Sequence, residues 1–342
     1  LAMEFTRRLG QTQATTQFSL HIDGAADWLQ LDPGVWQTAL TLPDLPPEHI
    51  IVPSFAMVGV DFRFQFQLQY SSGSKTLRPL PADNDCNLFD LPNDNGTELS
   101  DHIDCWHSQT DIRTPNLILR VQCAEQPGQY LATVSIRPLE IEPQGIHANA
   151  RSTVLQLAQP PAISQMMANP DVRNRICSPT ALAMALSHLL NIDDRLLIEK
   201  LWAQLIEDCY DPVTKAYGMW PQAIFQASRL GVLASVESSA DWRKVEQALN
   251  AKAPVICSVR FATDELANAP LTHTAGHLLL LYGITDKKVL VMDPAAETPG
   301  TAQRIYDRAQ FTAAWLKRRG AAYFFSIPDG HSEGLESRQR SN

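Results

Sequence analysis

The chain has 342 residues, of which 44% are hydrophobic and 19% charged, and a formal net charge of -9. That length exceeds the usual size of one hydrophobic core and predicts two domains, while the acidic balance argues against nucleic acid or an anionic membrane as the main partner. No apolar run approaches the ~20 residues needed to span a bilayer, so no integral membrane segment is expected.

Residues 1–8 lack the apolar core of a signal peptide, and a trimmed leader leaves no trace, so the compartment stays open between cytoplasm and exterior. The first half then reads as strands. Phe62, Phe64, Phe66, Leu68 and Tyr70 alternate with Arg63, Gln65, Gln67 and Gln69, the period of a half-buried strand with its aromatic set on one face. Similar runs occur at Gln17–Ile22, Trp36–Leu42, Leu117–Val121 and Leu131–Ile136, separated by turn clusters such as Ser71-Ser72-Gly73 and Pro92-Asn93-Asp94-Asn95-Gly96. Short strands at such intervals predict an antiparallel β-sandwich over residues 1–150. A sandwich joined to a hydrolase often takes a polymer or cell-surface ligand, but it equally serves as a structural cap, and residue types alone leave both roles open.

The six cysteines, Cys86, Cys105, Cys123, Cys177, Cys209 and Cys257, are too scattered for a disulfide framework. Cys86 and Cys105 are a possible bridge if the protein is exported. His102, Cys105 and His107 lie close together, yet they lack the paired spacing of a zinc site and read as a turn with ordinary histidines. Gln159-Pro160-Pro161 marks a linker, residues 151–162, into a second half that mixes helix and strand.

In that half Cys177-Ser178-Pro179-Thr180 precedes a strongly helical run, Ala181 to Leu186. Proline is tolerated in a first turn, so a helix is predicted to begin at Cys177 or Ser178. A helix start leaves free N–H groups and partial positive charge, which favour thiolate over thiol and stabilise a neighbouring oxyanion. Leu196–Leu205, Trp220–Leu230 and Asp241–Asn250 carry helical periodicity, the last with Asp241 as its cap, and Pro254–Val259 reads as a strand. Gly276-His277 opens a buried strand ending at Gly283, Lys287-Lys288 is a turn, and Val289 to Met292 forms a second strand that delivers Asp293. Paired as an antiparallel hairpin, these strands bring His277 and Asp293 to one end, completing a nucleophile, a base and an orienting group. His273 lies in the preceding loop and Cys257 inside a strand, where each reads as non-catalytic. Trp220 is either a cleft wall or a helix-start core residue.

These segments resemble the papain-like cysteine peptidases related to the bacterial peptidases that cut double-glycine leaders, in their stand-alone form. The resemblance covers about Ile163 to Pro328. It is carried by Ser164-Gln165 ahead of Cys177-Ser178-Pro179-Thr180, Tyr217-Gly218-Met219-Trp220-Pro221, Gly276-His277, Asp293-Pro294-Ala295 and Ile305-Tyr306-Asp307-Arg308-Ala309-Gln310-Phe311. It implies Cys177 as nucleophile, His277 as base, Asp293 as orienting group and Gln165 as an oxyanion donor, with Asn174 as the fallback donor. It further implies hydrolysis of a peptide or protein substrate without metal or organic cofactor. The expected fold class is thus α+β, an N-terminal β-sandwich followed by a papain-like domain over 163–328 and a disordered tail over 329–342. Papain-like sites also run amidase and acyltransferase chemistry. A catalytically silent binding protein acting through the sandwich is the contrasting reading. No ABC-transporter segment accompanies the domain, which argues against export-coupled leader cleavage.

Overall fold

The computed structural model describes residues 8–9, 16–22, 27–81, 88–94, 96–143, 146 and 154–328. Among the described residues its first half is built of strands: β1 (Arg8–Leu9), β2 (Thr16–Ile22), β3 (Leu29–Asp32), β4 (Val35–Thr41), β5 (His49–Met57), β6 (Arg63–Tyr70), β7 (Gly73–Thr76), β8 (Leu99–Asp101), β9 (Trp106–Ser108), β10 (Asn116–Gln122) and β11 (Tyr130–Pro138). They form two antiparallel sheets, in the orders β1-β2-β11-β5-β9-β8 and β3-β4-β10-β6-β7. Phe55, Trp106 and Val134 of the first share one apolar cluster with Phe64, Leu68 and Val121 of the second.

Two findings here differ from the sequence expectation. β5 escapes periodicity because all nine of its residues are buried, and alternation is visible only where one face meets water. Its Pro53 is tolerated in a strand that β9 pairs only at Ile50 and Ile51, so little ladder is lost. Nor is β6 half-buried. Gln65 and Gln67 are both fully buried, and each bonds a backbone carbonyl: Gln65 Nε2 donates to Leu77 O at 3.0 Å and Gln67 Nε2 to Pro92 O at 2.5 Å. Paired glutamines can be buried at low cost because each amide finds a backbone acceptor.

The second half comprises β12 (Leu155–Gln156), α1 (Cys177–Leu189), α2 (Arg195–Asp208), α3 (Trp220–Arg229), β13 (Leu233–Ser238), α4 (Arg243–Asn250), β14 (Val255–Phe261), β15 (Thr274–Ile284), β16 (Lys288–Met292), β17 (Gln303–Asp307), α5 (Arg308–Leu316) and β18 (Ala321–Ser326). One antiparallel sheet runs β13-β18-β14-β15-β16-β17, with β12 added against β15 through Leu155↔Ile284 and Gln156↔Gly283. The stretch expected as a linker therefore contains a strand of this sheet. Helices and antiparallel sheets together make the chain α+β. α4 starts at Arg243, two residues after Asp241, whose Oδ1 accepts from the Arg243 N–H at 3.0 Å. Cys86 and residues 329–342 lie outside the described residues, so the bridge and tail expectations do too; Cys105 is a free thiol.

The halves are stitched along β13, an edge strand whose outer N–H groups would otherwise face away from any ladder. Ser54 Oγ on β5 accepts from Val236 N–H at 3.0 Å, and Ser135 Oγ on β11 accepts from Ser238 N–H at 2.7 Å. Arg137 is fully buried and donates to the carbonyls of Pro138 at 2.8 Å and Ser239 at 2.7 Å. Arg78 clasps Asp211 with two bonds of 3.0 and 3.1 Å. Burial acts to raise the Asp211 carboxyl, but this clasp and Thr214 outweigh it and hold it near 2.

Gly320 sits at the centre of this seam with φ +60, its carbonyl accepting from the Ser239 N–H at 2.7 Å, and a Cβ built there would run into Ser239 O and Arg137 Nη1. Gly320→Ala is expected to cost about 3 kcal/mol, from the left-handed backbone and the overpacked seam together. Urea titration reads this directly. A change below about 0.5 kcal/mol, the ordinary surface range, would mean the seam yields freely.

Candidate active site

Cys177 is the first residue of α1, whose cap, Ile176, offers no side chain to the helix end. The open N–H groups are used by the thiol instead. Backbone N–H groups of Ser178 and Leu278 both reach Cys177, and Pro179, third in the helix, has no N–H to satisfy. Every residue from Ser178 to Ser187 is buried. Ala181, Ala183 and Ala185 let the sheet and neighbouring helices approach on all sides, and this fixes the helix and its terminal thiol rigidly. Cys177 itself is half-buried and opens on a cleft of about 240 Å³.

His277 and Asp293 arrive on the β15–β16 hairpin, where Leu280 pairs with Met292 and Asp293 follows at once. β15 begins at Thr274, three residues before His277, because Thr274 still pairs with Phe261 across a bulge. His277 Nε2 donates to Asp293 Oδ1 at 2.7 Å, and both side chains are almost wholly buried. The Ala295 N–H reaches the same oxygen at 3.0 Å, and Tyr306 donates its hydroxyl to Oδ2 at 2.7 Å. With Nε2 so engaged, Nδ1 is the ring nitrogen left to meet the Cys177 thiol.

The electrostatics follow from these contacts. Burial acts to raise the Cys177 thiol, but the His277 hydrogen bond and charge, with the two backbone N–H groups, prevail and lower it. For His277 burial acts downward and is outweighed by the Asp293 charge and hydrogen bond and then by Cys177, which lift it well above the ordinary imidazole range. Burial also works against ionised Asp293, and the His277 charge, His277 and Tyr306 hydrogen bonds and Ala295 N–H overcome it. A thiolate facing an imidazolium is the pairing these directions favour.

Gln165 lies beside this group without lining the cleft. Its N–H donates to Pro294 O at 2.8 Å, next to Asp293, and its buried Nε2 donates to Arg173 O at 2.6 Å, leaving one amide hydrogen uncommitted. Asn174 is exposed. Trp220, the first residue of α3, is buried and also walls the cleft. His273 is exposed and bonds Thr272 at 3.1 Å. Cys257 is buried between Leu279 and Ala322, where desolvation pushes its thiol far up. His102 and His107 stack at 3.8 Å with Cys105 Sγ 3.9 Å from His107 Nε2, and among the described residues no group of three or more His, Cys, Asp or Glu stands ready for a metal. Burial holds the His107 imidazole down at about 4.

Tyr306 went unassigned in the sequence reading although its segment carried part of the resemblance. Alternation in Gln303–Asp307 turns it inward, but nothing local tells which carboxylate it meets. Asp104 was missed altogether. It comes from the first half, accepts the Trp220 backbone N–H and faces Arg319, so the first half supplies the cap for α3.

Residues 158–323 match the sequence model of the Peptidase_C39 like family. A solved structure, by its own description a C39-like peptidase from Bacillus anthracis, is similar at 19% identity and TM-score 0.38, covering 52% of this chain and 98% of that one. No curated protein matches.

Proposed function

We infer, from a C-terminal half of C39-like, papain-type peptidase sequence joined to a cysteine and a histidine in one cleft and a carboxylate buried against the histidine, that this chain is a cysteine peptidase. The observation that carries the inference is the 2.7 Å His277–Asp293 bond, which commits one ring nitrogen and turns the other to a thiol at a buried helix start. The proposed site is Cys177, His277, Asp293 and Gln165.

The reaction is acyl transfer through a thioester. The Cys177 thiolate forms a C–S bond to a peptide carbonyl carbon, whose electron pair moves to oxygen. Collapse of this oxyanion breaks the C–N bond, and the His277 imidazolium gives its Nδ1 proton to the leaving amine. Neutral His277 then takes a proton from water as it attacks the thioester, and the thiolate leaves. Asp293 holds the ring in one tautomer and orientation throughout. The Cys177 N–H serves the oxyanion, and Gln165 joins it as second donor when its amide turns from Arg173 O into the cleft, a donor of this kind contributing about 3–4 kcal/mol.

The two N-terminal sheets are read as a β-sandwich accessory domain over residues 1–150, preceding a linker over 151–162 and a catalytic domain over 163–328. A structural role for it is favoured by the serine hydroxyls that cap β13 and by Asp104 at the start of α3.

Iodoacetamide at mildly acidic pH, with peptide mapping, tests the reading. Cys177 is expected to be alkylated far ahead of the others, since burial pushes the Cys105, Cys209 and Cys257 thiols upward. Slow modification spread over several cysteines would overturn it.

A further inference from the structure

The cleft that holds Cys177 and His277 is also lined by Arg260, Arg318 and Arg319, and among the described residues no carboxylate shares that lining. Their convergence has separate local causes. Arg260 follows Val259, which pairs with His277, and its Nε donates to Ala275 O at 2.6 Å, laying the guanidinium across the mouth of β15. Arg318 and Arg319 lie in the turn between α5 and β18. Arg319 has φ +44, its N–H is tied to Leu139 O at 3.1 Å, and its guanidinium stands 5.9 Å from the Trp220 ring.

The neighbouring acids stand outside the lining. Glu140 meets Arg318 Nε at 3.3 Å, but both side chains are more than half exposed, and such a pair contributes little. Asp104, which accepts the Trp220 N–H at the start of α3, is close enough for its charge to feel Arg319, but it is not among the lining residues. Arg260 makes no ion pair within 4 Å among the described residues, and the charges of Arg318 and Arg319 add to burial in disfavouring its charged form. Three guanidiniums held in one cavity repel one another, and a planar carboxylate is the anion whose two oxygens match their donors.

We propose that this cleft selects peptides bearing a carboxylate beside the scissile bond, with Arg260, Arg318 and Arg319 as the residues that read it. The carboxylate comes from an Asp or Glu side chain or from the substrate's own C-terminus. The proposal rests on the cysteine peptidase reading of the same site.

Two alkylating agents of nearly equal size separate the claims. Iodoacetate is an anion and iodoacetamide is neutral, so the ratio of their second-order rates at Cys177 reports the charge of the cleft. The imidazolium contributes to that ratio in every variant, and the arginine contribution is therefore read by comparison. In the Arg260→Gln/Arg318→Gln double variant the ratio is expected to fall about tenfold at low salt, and the wild-type ratio to shrink in 1 M salt, where the Debye length drops to about 3 Å. Arg195→Gln, an exposed guanidinium on α2 outside the cleft, is the charge control and should leave the ratio unchanged. Peptide pairs then name the source. Glu against Gln near the scissile bond tests the side chain, and a free C-terminus against its amide tests the terminus, with about tenfold higher kcat/KM expected for the acidic member of one pair. Rapid alkylation of Cys177 with the same ratio in wild type and double variant would overturn the proposal while leaving the peptidase reading intact. Slow alkylation by both reagents would defeat both.

Discussion

His277→Ala is expected to abolish hydrolysis, by about 10⁴-fold or more, and to remove the fast alkylation of Cys177 in acid. The sign follows from the balance at the thiol. Burial works to raise it, and the His277 hydrogen bond and charge are what reverse that. Without the imidazole, burial prevails and the thiol rises above its ordinary range, so the nucleophile is protonated at neutral pH and no acid remains for the leaving amine. The variant also strands Asp293 in the interior, and an uncompensated buried charge costs about 3–5 kcal/mol. His277→Gln separates loss of base from loss of fold, since its amide can donate to Asp293 while transferring no proton. Both variants are compared by hydrolysis rate, alkylation at pH 5 and thermal melting. A folded His277→Gln that keeps rapid alkylation would remove His277 from the role of base.

Asp293→Asn is expected to move the alkaline limb of kcat/KM to lower pH by about 1–3 units and to leave the acid limb the lesser change. Burial pushes His277 down, and the Asp293 charge is the largest influence pushing it up. An amide keeps the hydrogen bonds in place: its oxygen accepts from His277 Nε2 and the Ala295 N–H, and its nitrogen can donate to the Tyr306 hydroxyl. The charge is lost, and the Tyr306 hydroxyl changes from donor to acceptor. The imidazolium is then lost at lower pH, and the step that protonates the leaving amine fails there. At pH 8 a fall of about 10²-fold in kcat/KM is expected. An alkaline limb at its wild-type position would show that the charge of Asp293 plays no part.

Local signals made much of this protein legible beforehand. α1 starts at Cys177 because Pro179 suits a first turn and the alanines continue the helix, information held within ten residues. β15 and β16 were readable as apolar runs around a turn, although Lys288, expected in that turn, is the first residue of β16, and with them came the common end for His277 and Asp293. β4, β6, β10 and β11 were found within one or two residues because they alternate or stand between turn clusters. β5 was not, since burial on both faces erases the period, and β7, β8 and β9 are too short to show one.

What the sequence determined by itself is therefore the placement of each reactive group on its element: a thiol at a helix start, an imidazole and a carboxylate at one end of a hairpin. Those placements depend on propensity, capping and turn chemistry, which act over a few residues. The tertiary structure alone decided which atoms meet. It gave Nε2 rather than Nδ1 to Asp293, brought Tyr306 to the far carboxylate oxygen, set Arg260 beside Arg318 and Arg319, and capped β13 with serines from the other half. Each of these joins residues brought together by packing, and packing depends on the shapes of whole elements that no short stretch of sequence encodes.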